Sequence, residues 1–138
     1  MASRTTFAVL ALGFAALAFP GCRSHDTVTV TGTNGAEMTF RKPHSETMRR
    51  NETGEITLRI ERKGFVEPVA IDVEGLPNGV RVLNAPLQFE QDQERMILHL
   101  QAANDADLVT DRVITVRVHG PGTAIAAQSF ELTIKPSR

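Results

Sequence analysis

From Thr27 onward, apolar and polar residues alternate in short runs of period two. Val28 and Val30 alternate with Thr27, Thr29 and Thr31. Met38 and Phe40 share one face of Glu37–Arg41. Ile56, Leu58 and Ile60 alternate with Thr57, Arg59 and Glu61. The pattern recurs at Val69, Ile71 and Val73, at Met96, Leu98 and Leu100, at Ile114, Val116 and Val118, and at Phe130, Leu132 and Ile134. Period two with one apolar face is the pattern of antiparallel strands that bury one side and wet the other.

Turn residues punctuate these runs. Asn34-Gly35 supplies residues that tolerate positive φ between the first two strands. Gly75-Leu76-Pro77-Asn78-Gly79 forms a structural turn in which Pro77 takes the first central position and Asn78 or Gly79 the left-handed one. Pro86 interrupts the run between Val82 and Phe89, which suits an edge strand or a bulge, because proline has no N–H for a central ladder. Pro43–Thr53 and Asn104–Asp111 read as polar loops. The expectation is an all-β, antiparallel sandwich of immunoglobulin-like type with seven to nine strands.

Composition narrows the function classes. The formal net charge is −1, and the cations are scattered, so nothing holds a polyanion and nucleic acid is excluded as a partner. Trp and Tyr are absent, which removes the usual aromatic platforms for sugars and the usual protein hot spots. A single cysteine leaves no disulfide to pin two sheets, so burial of the aliphatic rows must supply the stability.

The first residues read as an address. Met1–Thr6 carries Arg4 and no acid, and Phe7–Phe19 is an uninterrupted apolar run. That run spans about 13 residues, against roughly 20 for a membrane-spanning helix, and fits the order of a cleaved signal. Cys22 follows Pro20-Gly21, where the run ends. This resembles a bacterial lipobox, with Phe19 where Leu is usual and Pro20 where a small residue is usual. The resemblance implies residues 1–21 as a lipoprotein signal peptide. It implies lipidation of Cys22 by diacylglycerol and an N-acyl chain, and residues 22–26 as a short tether to a domain at 27–138. Several acyl chains hold a protein stably on a membrane. Arg23 at the second mature position, in place of Asp, implies an outer-membrane location facing the periplasm. The alternative is an ordinary secretory signal cut nearby, leaving a free thiol.

A second resemblance rests on Gly54-Glu55, Gly64-Phe65, Pro68-Val69 and Glu74-Gly75-Leu76-Pro77-Asn78-Gly79-Val80. This stretch is similar to bacterial extracytoplasmic immunoglobulin-like modules of the NEW3 and fibronectin-III-like groups. The resemblance implies fold and compartment, and it transfers no catalytic residue.

Little reactive chemistry is on offer. No HxH or HExxH spacing joins His25, His44, His99 and His119. Asp105, Asp107 and Asp111 are a weak Ca²⁺ candidate, since their loop lacks the mid-loop Gly and terminal Glu of an EF-hand. A solvated acidic loop is the simpler reading. Asp72 and Glu74 share a strand face but read as its wet side, and no serine sits in a nucleophile elbow. The expectation is a membrane-tethered, non-enzymatic envelope module without a dissociable cofactor. It would bind an envelope protein through an exposed sheet edge, with the Pro86 neighbourhood as the candidate edge, or through the loops at one end. The alternative is a small-ligand, Ca²⁺ or inhibitor-type binding protein using the loops at 43–51 and 104–111.

Overall fold

The computed structural model describes residues 26–138, so the signal segment and Cys22 lie outside the described residues. Ten strands follow in order: β1 (Thr27–Thr31), β2 (Glu37–Arg41), β3 (Glu46–Arg49), β4 (Thr53–Lys63), β5 (Val69–Glu74), β6 (Val80–Val82), β7 (Gln88–Phe89), β8 (Arg95–Ala102), β9 (Val109–His119) and β10 (Ile125–Lys135). Among the described residues no helix is long and apolar enough to cross a membrane.

The strands form two sheets, β1-β2-β4-β8-β6 and β3-β10-β9-β5-β7. Within them β2-β4-β8-β6 has the A-B-E-D order of an immunoglobulin domain, and β10-β9-β5 has its G-F-C order. The fold is therefore an immunoglobulin-like β-sandwich. The inward rows expected from the alternation meet between the sheets. Phe40, Leu58, Phe89, Leu98, Leu100, Ile114, Phe130 and Leu132 are all fully buried. Gln128 is the buried polar side chain among the described residues, and its amide donates to the Phe40 carbonyl at 3.3 Å, linking β10 to β2.

Two segments change sheets, one on each side. β2 pairs with β4 in the first sheet, and the chain then crosses at buried Pro43 to run as β3, parallel to β10, in the second. On the other side β6 pairs with β8. The chain then crosses through Asn84-Ala85-Pro86, with a cis Ala85–Pro86 peptide, and continues as β7 against β5. Strands that switch sheets form the corners of a sandwich.

Three local expectations are corrected. Residues 43–53 are not one loop, because Glu46–Arg49 is a strand. Only Met48 of that strand is buried, so no alternating row marks it. Burial and the nearby charge of Glu55 raise the Glu46 carboxyl above its usual range, against a lowering hydrogen bond from the Thr47 backbone. The loop at 104–111 ends at Leu108, and β9 takes in Asp111 across a register shift opposite Leu132–Ile134. In the Leu76–Gly79 turn, the Val80 N–H donates to the Pro77 carbonyl at 3.1 Å. Pro77 is thus the first residue of the turn, and the central pair is Asn78-Gly79, with Gly79 at φ +81°.

Gly79 meets two demands at once. Its φ is left-handed, and a Cβ there would lie 2.6 Å from the Ala106 Cα. Gly79→Ala is expected to cost about 2–4 kcal/mol. Urea unfolding of the two proteins side by side measures this, and an unchanged midpoint would show that the 103–108 loop yields freely.

Candidate interaction surface

The sheet-switching segment on the β6 side leaves a gap in the edge of β8. Even-numbered residues of β8 bond toward β4, as the 2.9 Å bond from the Ile60 N–H to the Glu94 carbonyl fixes. Odd-numbered residues therefore direct their backbone groups to the other side. There Leu83 donates to the His99 carbonyl at 2.8 Å, and regular pairing then stops.

Side chains take over where the strand departs. The Asn84 amide donates to the Ile97 carbonyl at 2.8 Å and accepts from the His99 N–H at 2.6 Å. It imitates one further residue of a paired strand. Beyond it, the Gln93 amide donates to the Arg95 carbonyl at 2.7 Å. Between β8 and the departing segment lies an open cleft of about 550 Å³, lined by Asn84, Pro86, Gln93, Arg95, Met96 and Ile97 among others. Met96 is buried, and the rest of the lining mixes apolar Ala85, Pro86 and Ile97 with polar side chains.

Arg62 holds the loop that carries Glu90 and Gln93, two residues of the cleft's lining. It lies near the end of β4 in a mixed-charge run that reads as a solvated strand end, yet it falls in phase with the buried row of Ile56, Leu58 and Ile60. Its guanidinium instead donates to the carbonyls of Gln93 at 2.9 Å, Glu67 at 2.6 Å and Glu90 at 2.9 Å. It also sits 5.1 Å from the centre of the Phe65 ring. One side chain thus ties the 64–68 loop to the 90–94 loop that leads into β8. Burial lowers the affinity of this guanidinium for its proton, while Asp92, Glu94 and Glu67 act the other way. Only Arg presents a planar fork of donors that can meet three carbonyls at once.

The residues singled out in the sequence lie elsewhere. Asp107 accepts from the Asn78 amide at 3.2 Å, and the Asp111 N–H donates to the Thr133 hydroxyl at 3.0 Å. Asp105, Asp107 and Asp111 form no metal-holding cluster, and none exists among the described residues. The 43–51 and 104–111 segments do meet at one end of the sandwich, where Arg50 donates to the Ala106 carbonyl at 2.7 Å. Ala106 is fully buried beneath this contact, and an open cleft of about 500 Å³ lined by Asn51, Gly79, Arg81 and Ala103 among others lies at the same end.

Asp72 and Glu74 project from β5 as expected and face His119 and Arg117 on β9. Asp72 lies 2.6 Å from the His119 Nε2, and Glu74 pairs with Arg117. In the sheet register, the strand hydroxyls on that face, Thr115 and Ser129, stand two rows from His119. His99 lies 3.7 Å from Glu55 on the outer face of the first sheet, and His44 is exposed. Cys22 and His25 lie outside the described residues.

No family model matches the chain, and no curated protein matches its sequence. Solved structures of similar shape are immunoglobulin domains. A chimeric titin Z1Z2 carrying an exogenous decorin peptide is 18% identical over 80% of this chain and 98% of that one, with a TM-score of 0.43. A complex of a titin domain with an obscurin-like 1 immunoglobulin domain is 17% identical over 75% and 99%, with a TM-score of 0.47. Tandem immunoglobulin repeats of Dlar are 16% identical over 72% and 47%, with a TM-score of 0.45.

Arg62→Lys is expected to lower stability by about 1–3 kcal/mol, because a lysine cannot hold three carbonyls in one plane. Hydrogen exchange should show the loss concentrated in the 64–68 and 90–94 loops. Uniform protection across both proteins would remove Arg62 as the tie between them.

Proposed function

We propose that this chain is a membrane-tethered, non-catalytic envelope module that binds an extended segment of another envelope protein along the outer edge of β8. The observation that carries the reading is the Asn84 amide standing where a strand residue would stand, with the cleft continuing past it along Ile97 and Arg95. An incoming segment would pair with the outward N–H groups of Ile97 and Arg95 and displace the Asn84 and Gln93 amides from the carbonyls they now hold, which is recognition by strand addition. Main-chain hydrogen bonds supply affinity in this mode without Trp or Tyr, both absent from this chain.

The absence of assembled chemistry among the described residues fits a binding role. The carboxylates and imidazoles of the sheet faces are engaged with one another or with nearby cations. The tether rests on the N-terminal sequence, where Cys22 ends an apolar run after Gly21. Acyl chains on Cys22 would hold the domain at a membrane surface, where its partner would be met.

Each half of the proposal has its own measurement. Intact mass of the membrane-extracted protein should show a chain beginning at Cys22 with added diacylglyceryl and acyl mass, lost in Cys22→Ser. An unmodified chain would end the tether. For the binding edge, a photoreactive residue placed at Ile97 in cells should capture one defined envelope protein. The same residue at Glu131, on the other sheet, should not. Equal capture from both positions would move binding away from β8.

A further inference from the structure

The outer face of the first sheet carries the odd-numbered side chains of β2, β4 and β8. Most charges on this face already have partners. Arg41 bonds Glu61 at 2.9 Å, Lys63 lies 4.0 Å from Glu37, and His99 lies 3.7 Å from Glu55. Arg81 on β6 donates twice to the Gln101 amide oxygen, at 2.7 and 3.0 Å. Arg59 and Arg95 are the exceptions. Among the described residues neither guanidinium has an ion pair or a hydrogen bond.

These two arginines stand directly opposite each other in the register of β4 and β8. Even-numbered residues of β8 bond toward β4, so Arg59 and Arg95 form a non-hydrogen-bonded pair. In such a pair the Cα atoms lie about 4.5 Å apart and the side chains are at their closest. Like charges set opposite in this way destabilise a sheet. On its other side Arg59 has β2, where Arg41 follows Phe40 and is already held by Glu61. On its other side Arg95 has no strand, only the cleft that it lines. The place left for a neutralising group is therefore the β8 edge.

We propose that the segment received along β8 runs antiparallel to it and places a carboxylate, Asp or Glu, opposite Arg95. Two positions earlier it places an apolar residue opposite Ile97. The inference rests on the β8 reading and names the chemistry of its partner. Both strands that already pair with β8 do so antiparallel. Residues directly opposite in an antiparallel pair share one face of the sheet, so the carboxylate stands on the same face as the guanidinium, with Cα atoms about 5.5 Å apart. Half-buried Ile97 sets the apolar preference in the same way. A carboxylate there offsets the repulsion between Arg59 and Arg95, and a basic residue would be opposed by both.

The loop before β8 confines the preference to one position. Glu90, Asp92 and Glu94 are exposed there. Glu90 lines the cleft and accepts from the Gln88 amide at 3.2 Å, while Asp92 and Glu94 act on the Arg62 guanidinium. None of the three forms an ion pair with Arg95. An antiparallel segment runs on past Arg95 toward this loop, where a second acid would meet like charge. The partner therefore presents a single carboxylate within an extended segment, and an acidic run is disfavoured.

The test uses the full chain in cells, with the photoreactive residue at Ile97 as the probe. Mass spectrometry of the adduct should place Asp or Glu two residues C-terminal to the crosslinked position of the partner. Adding Arg95→Glu should lower the adduct yield several-fold. The melting temperature should hold or rise, because the substitution sets opposite charges across β4 and β8. Lys in place of the partner's acid should lower the yield likewise, and combining it with Arg95→Glu should restore the yield. A specific adduct whose segment lacks that acid overturns the inference and leaves the β8 edge standing. So does a yield unmoved by Arg95→Glu, or a charge swap without recovery. Absence of an adduct at Ile97, or equal capture from Ile97 and Glu131, ends the β8 reading and this inference with it.

Discussion

Two packed sheets with no covalent link between them can slide or part at their sides, and this constraint organises the whole molecule. A single cysteine in the chain rules out an intrachain disulfide. The sandwich is instead held by its apolar rows and closed at each side by one segment that begins in one sheet and ends in the other. Pro43 marks the crossing from β2 to β3, and Pro86 marks the crossing from β6 to β7. A proline suits both places, because a residue leaving a ladder has no use for an N–H there. Each crossing makes the two sheets share a stretch of backbone, so separating them requires breaking strand pairing as well as exposing the core.

The same device accounts for what was legible in the sequence. The long strands β4 and β8 carry alternating rows that are buried residue for residue, and so do the Ile114–Val118 part of β9 and the Phe130–Ile134 part of β10. Their positions follow from local pattern alone, because burial on one face imposes period two. Strand β3 was not legible. It is short and on an edge, with one buried side chain, and its pairing with β10 is parallel and more than eighty residues distant. Nothing local distinguishes it from a polar loop. The turn before Val80 was legible as a turn, but its exact frame depends on Gly79 lying against Ala106, a contact from the far side of the chain.

The candidate surface was visible only as a neighbourhood. Pro86 pointed to an irregular edge, and β6 and β7 on either side of it are edge strands. The two residues that shape the cleft gave no such signal. Asn84 looks like an ordinary loop residue, and its role comes from reaching the Ile97 and His99 backbone. Arg62 falls in a run of mixed charges that reads as a solvated strand end, yet it gathers three carbonyls from two loops. Arg62 keeps the inward phase of Ile56, Leu58 and Ile60, but only the folded register brings its partners, and those of Asn84, within reach.

The faces of this sandwich offer little to a ligand. Asp72, Glu74, His99, Arg117 and His119 meet oppositely charged or ionisable neighbours across the sheet, and no buried side-chain polar atom among the described residues lacks a partner. Exposed ion pairs of this kind add little stability, but they leave few charges free to bind. The backbone has fewer options, because a strand edge can satisfy its N–H and C=O groups only with water, a side chain or another strand. On the β8 side Asn84 and Gln93 supply such side chains. In a domain whose face charges are paired and whose aromatic content is poor, the capacity to associate is concentrated where strand pairing is unfinished.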